Sequence, residues 1–274
     1  MQSRFAFCLQ LGFTLSVCAF MIVPVGLSVL AGVTANFFIG LESGLTLRWI
    51  VEVFDLYLDT IWLSLIIAIA CLIVTLLIGV PAAYVLARQG GRIARFIEET
   101  IVLPVAIPGL AIALALILSY GDFRDFRTSW SFILVGHVLY TLPFMVRSVL
   151  AVLTSIDFRV LEEGAASLGA GFWTRLRTVV IPNAKPGILA GSLMVTTLSV
   201  GEFNLTWMLH TPITKTLPVG LADSYASMRL EVASAYTLVF FIMIVPLLVV
   251  MQILSKEQKT KKQKYVSKRR ITAT

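Results

Sequence analysis

The chain has 274 residues, of which 58% are hydrophobic and only 14% charged, with a mean hydropathy of +0.91. Soluble domains carry roughly 25% charged residues, so this composition excludes an ordinary water-soluble protein and specifies a membrane-embedded bundle of helices. The net charge of +7 does not point to nucleic acid, because eight of the 22 basic residues crowd into positions 256–270, directly after an apolar run. A juxtamembrane cluster of that kind is a topology and anionic-lipid signal.

Six runs meet the ~20-residue requirement for a membrane-crossing helix: 5–30, 60–86, 100–120, 130–152, 187–209 and 235–254. The first is longer than the ~7–15 residues of a cleavable signal's apolar region, so it is read as an uncleaved span. Cys8, Cys18 and Cys71 sit within apolar runs as small fillers, with no metal-ligand spacing. Gly79 and Pro81 predict a kink ending the second run, and Pro104 and Pro108 break the first half of the third. Such prolines free carbonyls that neighbouring helices or a wet cavity must satisfy.

The connections between runs alternate in charge. Seventeen of the 22 basic residues lie at the N-terminus, in the 87–99 loop, in or just before the 153–186 loop, and in the tail; Arg48, Arg124, Arg127, Lys215 and Arg229 lie on the other side. The positive-inside rule then predicts both termini and the long loop in the cytoplasm. The expected fold is all-α, a polytopic bundle of six transmembrane spans over 1–254, with a cytoplasmic loop at 155–186. A basic cytoplasmic tail, expected to be disordered, follows at 255–274.

That loop is polar and punctuated by glycine, so it cannot face lipid. Asp157 is a plausible N-cap, and Phe158, Leu161, Ala165 and Leu168 then fall at helical spacing. Gly169 and Gly171 stop this first helix. Phe172, Leu176 and Val179 or Val180 begin a second stripe, which Pro182 closes. Two helices this short are marginal in water. Their apolar faces need something to pack on: one face can rest on the bundle, and the other is available for a groove in a partner.

The same stretch resembles the signature loop of permease subunits of ATP-binding-cassette importers, whose pattern is Glu-Ala-Ala, three residues, Gly, nine residues, then Ile-x-Leu-Pro. Glu163, Ala165, Gly169, Val179 and Pro182 fall on it in order, with Gly164 in place of Ala and Ile181 in place of Leu. The strings 78–84, 103–109 and 86–88 are similar to matching spans of those permeases, so the resemblance covers about 44–254. It implies a loop that docks in a cleft of a separate ATPase. Glu162 and Glu163 would face donors on that partner, Gly164 would loosen the docking helix, and Gly169 would set its bend. Phe172 would open the second arm and Pro182 would fix the exit angle. The implied partners are ATP-binding subunits, a second permease subunit (identical or related), an exported or periplasmic solute-binding protein, and membrane lipid. The implied location is the bacterial inner membrane.

The chain carries no phosphate-cradling Gly-x-x-x-x-Gly-Lys-Ser/Thr, no Gly-x-Ser-x-Gly and no His-Glu-x-x-His. No cofactor is therefore expected on it, ATP and magnesium belonging to the partner. His137 and His210 stand in no metal-ligand spacing. Glu202 lies about 21 Å into the fifth run at 1.5 Å per residue, and a carboxylate there must face the bundle interior or a watery path. Glu202, Asn204 and Thr206 form the candidate translocation strip, against a purely structural hydrogen bond or ion pair; His137 and Tyr140 are further candidates.

Positions 44–49 and Leu217-Pro218 resemble the branch of importer permeases that handles spermidine and putrescine. A polyamine would suit Glu202 and the acidic excess among Glu42, Glu52, Asp55, Asp59, Asp122, Asp125, Asp223 and Glu231. Neighbouring branches handle aminoethylphosphonate and ferric ion. A self-contained channel or secondary transporter is the alternative of another class. Such carriers often show internal repeats, and none is visible here.

Overall fold

The computed structural model describes the backbone of residues 4–271 and the side chains of 6–253. The helices are α1 (Arg4–Ala31), α2 (Arg48–Gln89), α3 (Gly91–Ala106), α4 (Gly109–Tyr120), α5 (Arg124–Arg127), α6 (Trp130–Thr154), α7 (Phe158–Ser167), α8 (Phe172–Arg175), α9 (Ile181–Val200), α10 (Asn204–Leu209), α11 (Leu217–Ala226) and α12 (Leu230–Ile271). The only β pairing among the described residues is an isolated bridge between Thr34 and Leu45. Five helices are long and apolar enough to cross a membrane; α3 and α4, bent by 102° at their junction, make a sixth span when taken together. The all-α six-span reading therefore stands.

The boundaries differ instructively. Pro81 does not end or break α2, which stays helical to Gln89; its one non-helical residue is Tyr57 (φ −129°, ψ 21°). Gly79 serves proximity instead, since a Cβ there would lie 2.8 Å from Met145 Cγ of α6. The third run does break, at Ile107 and Pro108, where the backbone is extended between α3 and α4. The fifth run is interrupted at residues 201–203, so it is two helices, α9 and α10. The backbone of the basic run, expected to be disordered, continues α12 to Ile271; its side chains lie outside the described residues.

The chain forms two compact units, residues 1–60 with 219–243, and 61–218 with 244–274. In the first, α1 is almost bare of packing. Gly32, just beyond it, lets the backbone approach Ser234 and Ala235, where a Cβ would meet main-chain atoms at 2.7 Å. Phe37 N–H donates to Glu231 Oε1 at 2.9 Å, while Arg229 donates to Tyr57 Oη at 2.8 Å and pairs with Glu52. The 44–49 string is likewise used for packing: Thr46 N–H donates to the Val33 carbonyl, Trp49 Nε1 donates to the Thr34 carbonyl at 2.9 Å, and the Arg48 guanidinium lies over the Trp49 ring.

The second unit is built on α6. One apolar cluster gathers Cys71, Ala83 and Leu86 of α2 with Met145, Val149 and Leu153 of α6 and Val195 of α9; another joins Ile67, Ala113, Leu116, Phe132, Ile133 and Leu205. Gly187 and Gly191 bring α9 against α6. A Cβ at Gly187 would sit 2.5 Å from the Ser148 carbonyl oxygen, and one at Gly191 would sit 3.2 Å from Met145 Cα. Small residues four apart are how helices approach closely where hydrophobicity supplies no drive between them.

Because the atoms facing Gly187 are backbone, Gly187→Ala cannot be absorbed by a side-chain rotation. It is expected to destabilise the purified chain by about 1–3 kcal/mol, the usual range for overpacking, read as a lowered melting temperature in detergent. Gly12→Ala, where nothing lies within 4 Å, is the control and should leave melting unchanged.

Candidate functional site

The 155–186 loop folds as the expected hairpin, but its faces are turned differently. Asp157 occupies the N-cap position of α7 without making a side-chain capping bond. α7 ends at Ser167, and Gly169 takes φ +84°, a left-handed conformation that favours glycine. The Gly169 and Ala170 amides donate back to the Ala166 and Ala165 carbonyls, closing the helix end. Of the predicted apolar stripe only Phe158 is buried. Leu161 is half exposed and Leu168 is 90% exposed. Glu163 and Gly164 face solvent beside them, Ala165 being partly covered. Phe172 and Trp173 open the second arm, also exposed and stacked edge to face with ring centroids 5.4 Å apart.

Glu162 corrects the sequence expectation. The sequence turns both acids toward a partner; the structure turns Glu162 inward, at 3% exposure. Tyr84 Oη donates to its Oε1 at 2.8 Å, with Arg88 Nε 3.8 Å from Oε2 and Arg175 Nη1 3.7 Å from Oε1. A carboxylate cannot be buried unpaired, and these partners lie too far away in sequence for a helical pattern to reveal.

Pro182 is the second correction. It does not close the second arm: residues 172–200 run as one continuous helical path, with Pro182 in the first turn of α9. Residues Leu176–Val180 form a π-helical turn in which Ile181 N–H reaches back to the Leu176 carbonyl. The cause is local. Pro182 has no N–H for the Thr178 carbonyl, so the ladder slips by one residue. Asn183 Nδ2 then donates to the Val179 carbonyl at 2.7 Å. A proline followed by a side-chain amide is the signal that marks this turn.

At the α9–α10 break, Glu202 folds over the start of α10. Its Oε1 accepts from Leu205 N–H at 3.0 Å, and its Oε2 accepts from Thr206 N–H at 2.9 Å and from Thr206 Oγ1 at 3.0 Å. These are the orphan donors of a helix N-terminus, satisfied by a carboxylate that also suits the helix dipole. His137 of α6 joins the same network, Nδ1 lying 2.9 Å from Ser199 Oγ and Nε2 lying 2.8 Å from Thr206 Oγ1. With the Thr206 hydrogen committed to Glu202, Nε2 is the donor to Thr206 Oγ1, and a neutral imidazole would accept the Ser199 hydroxyl at Nδ1. The structure thus brings Glu202, Thr206 and His137 together. Asn204 is exposed, with its Cβ near Gly109, and Tyr140 packs against the second apolar cluster, which includes Leu205. Sequence reasoning missed Ser199.

The two broken spans meet here. A Cβ on Gly109, the first residue of α4, would lie 3.6 Å from Glu202 Oε1 and 3.5 Å from Leu205 N. Among the described residues no cluster of side chains suits a metal ion.

The family described as "Binding-protein-dependent transport system inner membrane component" matches residues 76–260. A putative 2-aminoethylphosphonate transport system permease protein of Salmonella typhimurium is 29% identical over 216 residues, 78% of this chain and 80% of that protein. A molybdenum transport system permease of Azotobacter vinelandii is 30% identical, covering 66% and 85%, and a sulfate transport system permease of Synechocystis is 28% identical, covering 74% and 78%. Among solved structures, a bacterial ABC transporter involved in import of the acidic polysaccharide alginate aligns with a TM-score of 0.70 at 15% identity, covering 92% of this chain and 95% of that one. The MetNI methionine ABC transporter, in inward-facing conformations, aligns with 0.59 at 18% identity, covering 75% and 95%.

The two hairpin glycines separate cleanly by experiment. Gly169→Ala forces a Cβ into the left-handed region, which costs about 1–2 kcal/mol. Gly164→Ala, in a helix with nothing within 4 Å, gains up to about 1 kcal/mol of helix propensity. Melting of the purified chain should fall for the first and hold or rise for the second.

Proposed function

The chain belongs to the family of inner-membrane components of binding-protein-dependent transport systems, and we propose that it couples to a separate ATPase through the hairpin at 155–186. The observation that carries this reading is the hairpin's surface. Leu161, Leu168, Phe172 and Trp173 present exposed apolar side chains on a segment too polar for lipid, beside the free carboxylate of Glu163. Apolar patches of this kind mark interaction sites, and a short helix laid in a groove is a common way to fill one. The charge distribution along the sequence supports placing the hairpin and both termini in the cytoplasm, on the side of ATP. Substrate delivery would fall to an exported binding protein, and a second permease subunit would complete the path.

For the solute, the names of the relatives support a small phosphonate or tetrahedral oxyanion, with 2-aminoethylphosphonate first. They lend no support to a polyamine, and the 44–49 string that suggested one is engaged in packing. The junction of the α3–α4 and α9–α10 breaks is the position we propose for the path. Non-helical backbone at membrane depth persists only where protein covers it or water lines it. Glu202 there acts first as the cap that holds α10. Its half-buried carboxylate also suits the ammonium end of an aminophosphonate.

Leu168→Asp places a charge on the exposed tip without touching the core. It is expected to reduce co-purification of the ATPase at least tenfold while the chain's own melting temperature holds; undiminished co-purification would overturn the docking reading. A functional oligomer free of any ATPase in liposomes would support the self-contained transporter instead.

Uptake of labelled 2-aminoethylphosphonate, sulfate, molybdate and putrescine, compared in cells with and without the chain, tests the solute. Loss confined to putrescine would reverse the assignment. In the same assay Glu202→Gln is expected to cut uptake about tenfold, the factor that ~1.4 kcal/mol carries, with the amount of assembled complex unchanged. Full uptake would remove Glu202 from the path.

A further inference from the structure

The last carbonyls of a helix have no partner within it, and the end of α2 takes its partner from the hairpin. Arg159, the second residue of α7, donates from Nε and Nη2 to the Ala87 carbonyl at 3.1 and 2.9 Å. One turn further along α7, Glu162 accepts the Tyr84 hydroxyl at 2.8 Å. The Phe158 and Tyr84 rings meet edge to face, 6.1 Å between centroids. α7 is therefore fastened to the last turns of α2 by two polar links and an aromatic contact, on the face away from its exposed tip.

The other arm of the hairpin leaves differently. It passes into α9 through the π-helical turn, whose hydrogen bonds are one residue out of register with the helix on either side. Beside that turn lies an apolar cavity of about 310 Å³, lined by residues including Leu76, Val80, Leu153, Leu176 and Ile188. The turn is thus not tightly packed on that side. The hairpin is thus joined to α2 by direct side-chain links and to α9 through a slipped turn beside a cavity that α2 and α9 share.

We infer that Glu162 is a positioning residue that carries movement of the hairpin into the end of α2 through the Tyr84 hydroxyl. A displacement of α7 must drag α2 with it or expose a buried carboxylate without its donor, whereas α9 can yield at the π turn. Arg88 and Arg175 hold the carboxylate charge in place, so Oε1 stays aimed at Tyr84. This inference rests on the reading of the hairpin as the element that docks on the ATPase.

The test uses the complete transporter complex purified through a tag on this chain. Cys8, Cys18 and Cys71 are replaced by alanine, and spin labels are placed at Gln89→Cys and Thr197→Cys, both exposed positions. In the parent, ATP with vanadate is expected to change the distance between the labels. Tyr84→Phe and Glu162→Ala should each lose at least half of that change, and the double variant should lose no more than Glu162→Ala alone, since both sever one link. Glu162→Gln keeps an acceptor oxygen for Tyr84 and should retain most of the change. Where Glu162→Ala lowers the yield, Tyr84→Phe, which removes a single oxygen, carries the test. A purely structural role would lower yield or melting while leaving the distance change per assembled complex intact, and that result overturns the inference. So does a parent in which the labels do not move. If the ATPase is absent from the parent complex, the docking reading falls together with the inference. If it is bound and the variants move fully, the inference alone falls.

Discussion

Hydrocarbon offers no hydrogen bonds, so any backbone group freed inside it must find its partner in the protein. In this chain that requirement decides where the polar side chains sit. Three of the places where a helix stops, slips or restarts are matched by a side chain that reaches back to it. Glu202 takes the first donors of α10, Asn183 takes the Val179 carbonyl beside the π turn, and Arg159 takes the Ala87 carbonyl at the end of α2. The residues that look functional because they are polar in an apolar protein are therefore, in the first instance, the ones that allow helices to stop, slip or restart.

The same requirement explains what the sequence made legible. Span number followed from run length alone, since a bilayer sets the minimum helix. The hairpin followed from a polar stretch with Gly169 where a left-handed residue closes α7. The inward turn of Glu162 did not follow. The spacing of Phe158, Leu161, Ala165 and Leu168 describes an apolar face correctly, but periodicity does not say whether such a face is buried against the chain or offered outward. Its true partners, Tyr84 and Arg88, lie on another span. The π turn hid for a related reason: Pro182 reads as a terminator unless the freed carbonyls are given other donors, and the slipped ladder and Asn183 supply them. Asn204, a member of the polar strip, stays beside Gly109 at the junction without joining the hydrogen bonds of Glu202, and Tyr140 packs against the second apolar cluster.

The α9–α10 break shows how one acidic residue can tie several helices together. Glu202 spends both oxygens on α10, and Thr206 passes the connection to His137 and on to Ser199 of α9. The break in the fifth span is thereby tied to the fourth. A solute passing this point would meet a carboxylate already partly neutralised by backbone donors, a milder obstacle to an anion than a free acid.

The glycines at 187 and 191 set a limit on how such a molecule can operate. Where one main chain rests directly on another, there is no layer of side chains to act as a lubricant, and sliding would drive carbonyl oxygens into carbon atoms. α6 and the first half of α9 must therefore travel as a single plank. Opening and closing are left to the seams that have something soft between them.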